Sequence, residues 1–139
     1  MSTEEQGVSR RILVVATETF AGDDVHGLVD AEVVVVTPAL IGRLGYWTGD
    51  DRRSRRDAVE RLGVCLESLR RSGVEARGRV GDADPLQAIE DALREFDADE
   101  IVVATHAEGR SNWLASDIAG RAHRRFSRPI SRIDVELAA

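Results

Sequence analysis

The sequence predicts a single α/β domain, a parallel sheet with helices on both faces in a three-layer, Rossmann-like sandwich. Three observations carry this prediction. Short runs rich in β-branched residues, Ile12 to Ala16, Glu32 to Val36 and Glu100 to Thr105, lack the alternation of half-solvated strands and suit strands buried on both faces. The intervening segments place apolar residues at helical spacing. Strand and helix signals alternate along the chain, which right-handed crossovers convert into a parallel sheet.

Taken in order, residues 1–10 carry acids and no apolar stretch. They read as a disordered lead rather than a secretory signal, with the domain spanning 11–139. Ile12 to Ala16 is the first strand, followed by the turn TETFAGDD. Asp23 to Ala31 reads as a short helix weakened by Gly27. Glu32 to Val36 is the second strand and ends at Thr37-Pro38, because proline has no donor for a ladder. The loop ALIGRLGYWTGD, with its three glycines, leads into a long helix for which Asp50 or Asp51 is the cap. Its apolar stripe is Ala58, Leu62, Cys65, Leu66 and Leu69, and Gly73 is its stop.

Val74 to Val80 lies between clear boundaries and reads as a third strand, exposed on one side and at an edge. Asp84 caps the next helix, Pro85 takes its first position, and Gln87 completes a capping-box pattern. Leu86, Ile89, Leu93 and Phe96 form that helix's stripe. Glu100 to Thr105 is the fourth strand. Asn112 to Arg125 is a helix with Leu114, Ile118, Ala122 and Phe126 at four-residue intervals, and the last strand lies within PISRIDVEL, residues 129–137.

At 139 residues the chain suits one core, and with 42% apolar but only 4% aromatic residues that core must be aliphatic. A net charge of −6 excludes a general nucleic-acid surface, which needs a basic excess to displace counterions. Arginines interleave with acids, and RRSRRDAVERL reads as a solvated helix face. The single cysteine, Cys65, excludes an intramolecular disulfide, fits a reducing compartment, and lies on an apolar stripe as an inert buried thiol. No apolar run reaches membrane-spanning length. The expectation is a soluble, cytoplasmic protein with neither membrane nor nucleic acid as partner.

In open α/β sheets ligands bind beyond the carboxyl ends of the strands. The residues there are Thr17, Glu18 and Thr19, then Thr37 and Pro38, then Thr105 to Asn112. The chain has neither G-x-G-x-x-G after its first strand nor a Walker A sequence, which excludes an ordinary dinucleotide or P-loop site. His106, Arg110, Ser111 and Asn112 supply donors at a helix start, a position suited to anions. The structural alternatives are Ser111 or Asn112 as helix cap, His106 as a satisfied loop histidine, and Trp113 and Tyr46-Trp47 as packing. His26 and His123 lack metal-ligand spacing. A Ser111–His106 pair has no nucleophile elbow around it, so no catalytic residue and no metal ligand is assigned.

Four stretches, RRILVVAT, RRSGVEARGRV, GDADPLQAIEDALREFDADEIVVATHAEGR and RPISRIDVEL, together resemble the universal stress protein (UspA-like) family from Arg11 to Leu137. The resemblance implies a five-stranded sheet of order 3-2-1-4-5, of the adenine nucleotide alpha hydrolase-like kind. It also implies a role in the stress response, an ATP or AMP site between the first and fourth strands, and a homodimer through the last strand. In that strand Ile133, Val135 and Leu137 alternate with Arg132, Asp134 and Glu136, the period of one buried and one wetter face.

The family's ATP-binding members carry an acid after strand one and a loop G-x2-G-x9-G-[S/T] after strand four. In this chain Thr17 takes the acid's position, with Glu18 next. Ala104 and Ala107 stand for the first two glycines, with Gly109 displaced, and the last pair falls on Ser116-Asp117. Glycine lets backbone amides approach a phosphate; alanine obstructs this, and Glu108 and Asp117 bring charge of the wrong sign. The residues the resemblance assigns to a cofactor are Thr17, Glu18, Thr37, Thr105, His106, Gly109, Arg110, Ser111, Asn112 and Ser116. The reading is a non-catalytic small-ligand-binding or regulatory protein that binds ATP weakly or not at all and loses less with AMP or another anionic ligand of lower charge. The alternatives are a true ATP- or AMP-binding member with slow or no ATPase activity, and an interaction module with an empty cleft.

Overall fold

The computed structural model describes residues 10–17, 28, 30–39, 51–106 and 110–135. Within them the strands are β1 (Arg10–Ala16), β2 (Ala31–Pro38), β3 (Glu75–Gly81), β4 (Glu100–His106) and β5 (Ile130–Val135). The helices are α1 (Asp51–Arg71), α2 (Pro85–Glu95) and α3 (Arg110–Arg125). The strands form one sheet of order β3-β2-β1-β4-β5, every adjacent pair parallel. This is the architecture the sequence predicts.

Both faces of the central strands are buried, which explains their unbroken apolar runs. Ile12, Val14, Ala16, Val33, Val35, Val102 and Ala104 pack on one face with Cys65 and Leu69 of α1. Leu13, Val15, Val34, Val36, Ile101 and Val103 pack on the other with Leu86, Ile89 and Ala92 of α2 and Ile118 and Ala122 of α3. Each buried valine, leucine or isoleucine among them contributes about 1.5–3 kcal/mol by leaving water. Cys65 is fully buried, as its stripe position requires. Among the described residues no helix is long and apolar enough to cross a membrane.

The end of α1 follows from one glycine. Gly73 has φ of +83°, a left-handed conformation that costs a residue with a Cβ. It lets Val74 N–H reach Leu69 O at 2.9 Å and Gly73 N–H reach Arg70 O at 3.1 Å, the paired bonds of a Schellman stop. Gly78 in β3 serves close approach instead: a Cβ there would collide with the Leu62 side chain and lie 2.7 Å from the Val35 carbonyl.

Several sequence expectations need correction. Gln87 does not close a capping box. Asp84 Oδ1 accepts from Leu86 N–H at 3.0 Å as a cap should, but the Asp84 N–H is already held by Asp82 Oδ1 at 2.9 Å. The Gln87 amide donates to Asp91 instead, at 2.9 Å. The strand β2 ends at Pro38 as expected but extends beyond the run Glu32 to Val36, because its ladder with β1 ends at Val36 while its register with β3 continues to Pro38 opposite Gly81. The last helix starts at Arg110, two residues before Asn112, which puts Ser111 and Asn112 in its first turn rather than at its cap. The helix expected over 23–31 lies outside the described residues apart from Leu28, which is buried, Asp30 and Ala31, which opens β2. Of the lead expected over 1–10, Arg10 instead opens β1 and residues 1–9 lie outside them, as do the loop carrying Tyr46-Trp47 and Asp50, one of the two candidate caps, while Asp51, the other, is already the first residue of α1.

Candidate functional site at the carboxyl edge of the sheet

Strand order reverses at β1. The chain goes from β1 to β2 and β3 on one side and returns to β4 on the other. A crevice at such a switch point lies beyond the carboxyl ends of β1 and β4. Thr17, the residue after β1, is only 4% exposed, and its hydroxyl donates to Ala104 O of β4 at 3.3 Å. The floor of the switch point is therefore closed by a side chain from one strand bonded to the backbone of the other.

Three residues separate the end of β4 at His106 from the start of α3 at Arg110, so the first turn of α3 stands at the carboxyl end of β4. The first N–H groups of a helix have no acceptor within it, and they carry the positive end of the helix dipole. The backbone amides of Arg110, Ser111 and Asn112 are of this kind. Thr105 and His106 close β4, in register with Asp134 and Val135 of β5. Thr17, Thr105, His106, Arg110, Ser111 and Asn112 thus come to one edge of the sheet. Ser116 lies nearly two turns into α3, roughly 9 Å along the axis from Arg110 at 1.5 Å per residue. Asp117, beside it, has its carboxylate 3.5 Å from Arg121, one turn further from the helix start. The side chains of Thr105, His106, Arg110, Ser111, Asn112, Trp113 and Ser116, and the whole of Glu18, Gly109 and His26, are outside the described residues.

Thr37 ends up facing inward. It is fully buried, and its hydroxyl donates to Ala58 O of α1 at 2.9 Å. That bond ties the carboxyl end of β2 to α1.

Arg61 corrects the reading of RRSRRDAVERL as a solvated helix face, because it turns inward and is half-buried. From α1 its Nε donates to Ala16 O at 3.2 Å and its Nη2 to Pro38 O at 2.7 Å. One half-buried guanidinium thereby holds the terminal carbonyls of β1 and β2 together through charge-assisted bonds. The signal was present: position 61 lies three residues after Ala58 and four before Cys65, on the buried stripe, where a charged residue needs partners.

Among the described residues no group of His, Cys, Asp and Glu is arranged to hold a metal ion. A surface groove of about 240 Å³ lies at the β3 edge, lined by Val34, Arg77, Arg79, Ala92 and Phe96 among others. Its charges are already matched, Arg77 by Glu32 at 3.5 Å and Arg79 by Glu95.

No protein-family model matches the sequence, and no curated protein is significantly similar to it. Solved structures are similar. A universal stress protein family protein from Arabidopsis thaliana, crystallised with AMP bound, superposes with a TM-score of 0.57 at 11% identity, covering 91% of this chain and 92% of its own. A hypothetical protein, PH0823, superposes with a TM-score of 0.61 at 16% identity, covering 92% of this chain and 97% of its own. At these identities the likeness is one of fold, and the fold the chain adopts is the universal-stress-protein-like one that its sequence landmarks imply.

Proposed function

We propose that the chain is a non-catalytic, universal-stress-like binding protein that takes a small anionic ligand, of the adenosine monophosphate class, at the carboxyl edge of β1 and β4. The observation that carries this reading is the closure of the β1–β4 switch point by Thr17 on Ala104 O, with the first turn of α3 standing directly beyond it. The AMP bound by the Arabidopsis protein of the same fold supports it. The anion would rest on the amides of Arg110 to Asn112, with the Arg110 side chain adding charge. Glu18, Thr105, His106 and Gly109 would border the ligand, and Ser116 would contribute least, being furthest along α3. A triphosphate is disfavoured because Ala104 and Ala107 stand where glycines would let amides close on it, and because Glu108 repels it.

The working unit in this reading is a homodimer through β5, an edge strand of the sheet. An edge strand leaves N–H and C=O groups able to pair with a second copy about a two-fold axis.

Arg110→Glu tests the ligand assignment. The variant should keep its fold, seen as an unchanged melting profile, and lose AMP binding by at least about tenfold, since a charge reversal at a few ångströms exceeds 1.4 kcal/mol even at moderate dielectric. An unchanged affinity in a folded variant contradicts this placement of the anion.

A further inference from the structure

Between the end of α3 at Arg125 and the start of β5 at Ile130 the chain bends, and Ser127 is exposed in that bend. Among the described residues it is the serine that is both exposed and outside the helices and strands. Arg124 and Arg125 precede it and Arg128 follows it. All three guanidinium groups can turn to a new anion without stranding a buried acid. Arg124 is exposed and makes no ion pair among the described residues. Arg125 pairs with Glu90 of α2, but Glu90 also accepts from Arg94 at 2.7 Å and so keeps a partner if Arg125 leaves. Arg128 donates through Nε to Ala98 O at 2.8 Å and through Nη2 to Asp97 at 2.9 Å. The Asp97 side chain is 82% exposed, so water can replace that second bond.

We propose that Ser127 is a phosphorylation site whose phosphate is clamped by Arg124, Arg125 and Arg128. The chain is the substrate of this step. Ser127 Oγ bonds to the γ-phosphorus of ATP as the bond bridging the β- and γ-phosphates breaks. ADP leaves, and the hydroxyl proton passes to a base of the kinase. The kinase is of the class whose peptide groove carries acids, matching the arginines three and two positions before the serine. The product adds nearly two negative charges at the carboxyl end of α3, where the helix dipole opposes them with about half a charge. Three full positive charges outweigh that opposition through charge-assisted bonds. Capture of Arg125 undoes its ion pair between α3 and α2 just before β5. The site lies about 22 Å along α3 from Arg110, so it is independent of the ligand reading.

The test incubates the full chain with a purified arginine-directed serine kinase, ATP and magnesium, beside a synthetic peptide of residues 121–131. Mass spectrometry locates the phosphate and phosphorus NMR titrates it. The chain should take one phosphate, on Ser127, and none in Ser127→Ala. The second pKa of a phosphoserine is about 6 and should lie about half a pH unit lower in the folded chain than in the peptide, because only the fold sets the arginines around it. Arg128→Gln keeps both arginines before the serine, and with its fold checked by circular dichroism it should lose at least half of that difference. A folded chain that takes no phosphate at Ser127 while the peptide does overturns the proposal. So does a phosphate that titrates alike in chain and peptide.

Discussion

The hydroxyl of Thr17 and the carbonyl of Ala104, 3.3 Å apart, join the two strands between which the direction of the chain's crossovers changes. The bond is buried, so its loss leaves Ala104 O without that partner in a place water does not freely reach. Thr17→Val should therefore lower stability by about 1–2 kcal/mol, while Thr17→Ser, which keeps the hydroxyl, should retain more than half of that. Urea denaturation monitored by circular dichroism measures both. Equal midpoints for wild type and Thr17→Val would mean the bond contributes nothing.

Gly78→Ala should destabilise the protein by about 1–3 kcal/mol, the usual cost of overpacking. The added methyl group meets two things, the movable end of Leu62 and the fixed carbonyl of Val35 at 2.7 Å. Shortening Leu62 to alanine in the same chain relieves only the first. The double variant should therefore still lose stability relative to Leu62→Ala alone, and a full rescue would show that the backbone contact is harmless.

The dimer prediction rests on β5. Ile133 is half-buried and packs against the core, while Ser131 and Arg132 are exposed. Main-chain pairing with a second copy would supply most of the association, and cross-strand charge pairs only about 0.2–1 kcal/mol each. Ile101 N–H donates to Pro129 O, so Pro129, Ser131 and Ile133 turn their backbone groups toward β4 and Arg132 turns its own to the free edge, where Arg132→Pro removes a donor without touching the apolar face. Light scattering at micromolar concentration should give twice the monomer mass for wild type and a smaller mass for the variant. A monomeric wild type, or a dimeric Arg132→Pro, contradicts the interface.

The elements were legible wherever local chemistry and burial agree. The runs Ile12 to Ala16 and Ile101 to Ala104 are apolar throughout because both faces of the sheet are covered, and the α1 stop at Gly73 was visible because only glycine adopts that φ cheaply. Gln87 misled because the competing donor-acceptor pair, Asp82 with the Asp84 N–H, lies upstream of the box and satisfies it first. In the candidate site, Thr17 was legible from its place after a strand, since chain order alone puts it at the sheet edge. Arg61 was not, because its partners Ala16 and Pro38 are 45 and 23 residues away and belong to two different strands. A single sequence shows that a charged residue interrupts an apolar stripe; only the packed sheet shows what satisfies it.

Titration of the wild-type protein with AMP and with ATP plus magnesium, side by side in a calorimeter and in phosphate-free buffer, tests the central claim most directly. The account predicts one AMP per chain, bound at least about tenfold more tightly than ATP, with no hydrolysis of ATP over the course of the titration. Tight, magnesium-dependent binding of ATP, or no heat with AMP at any concentration, would contradict it.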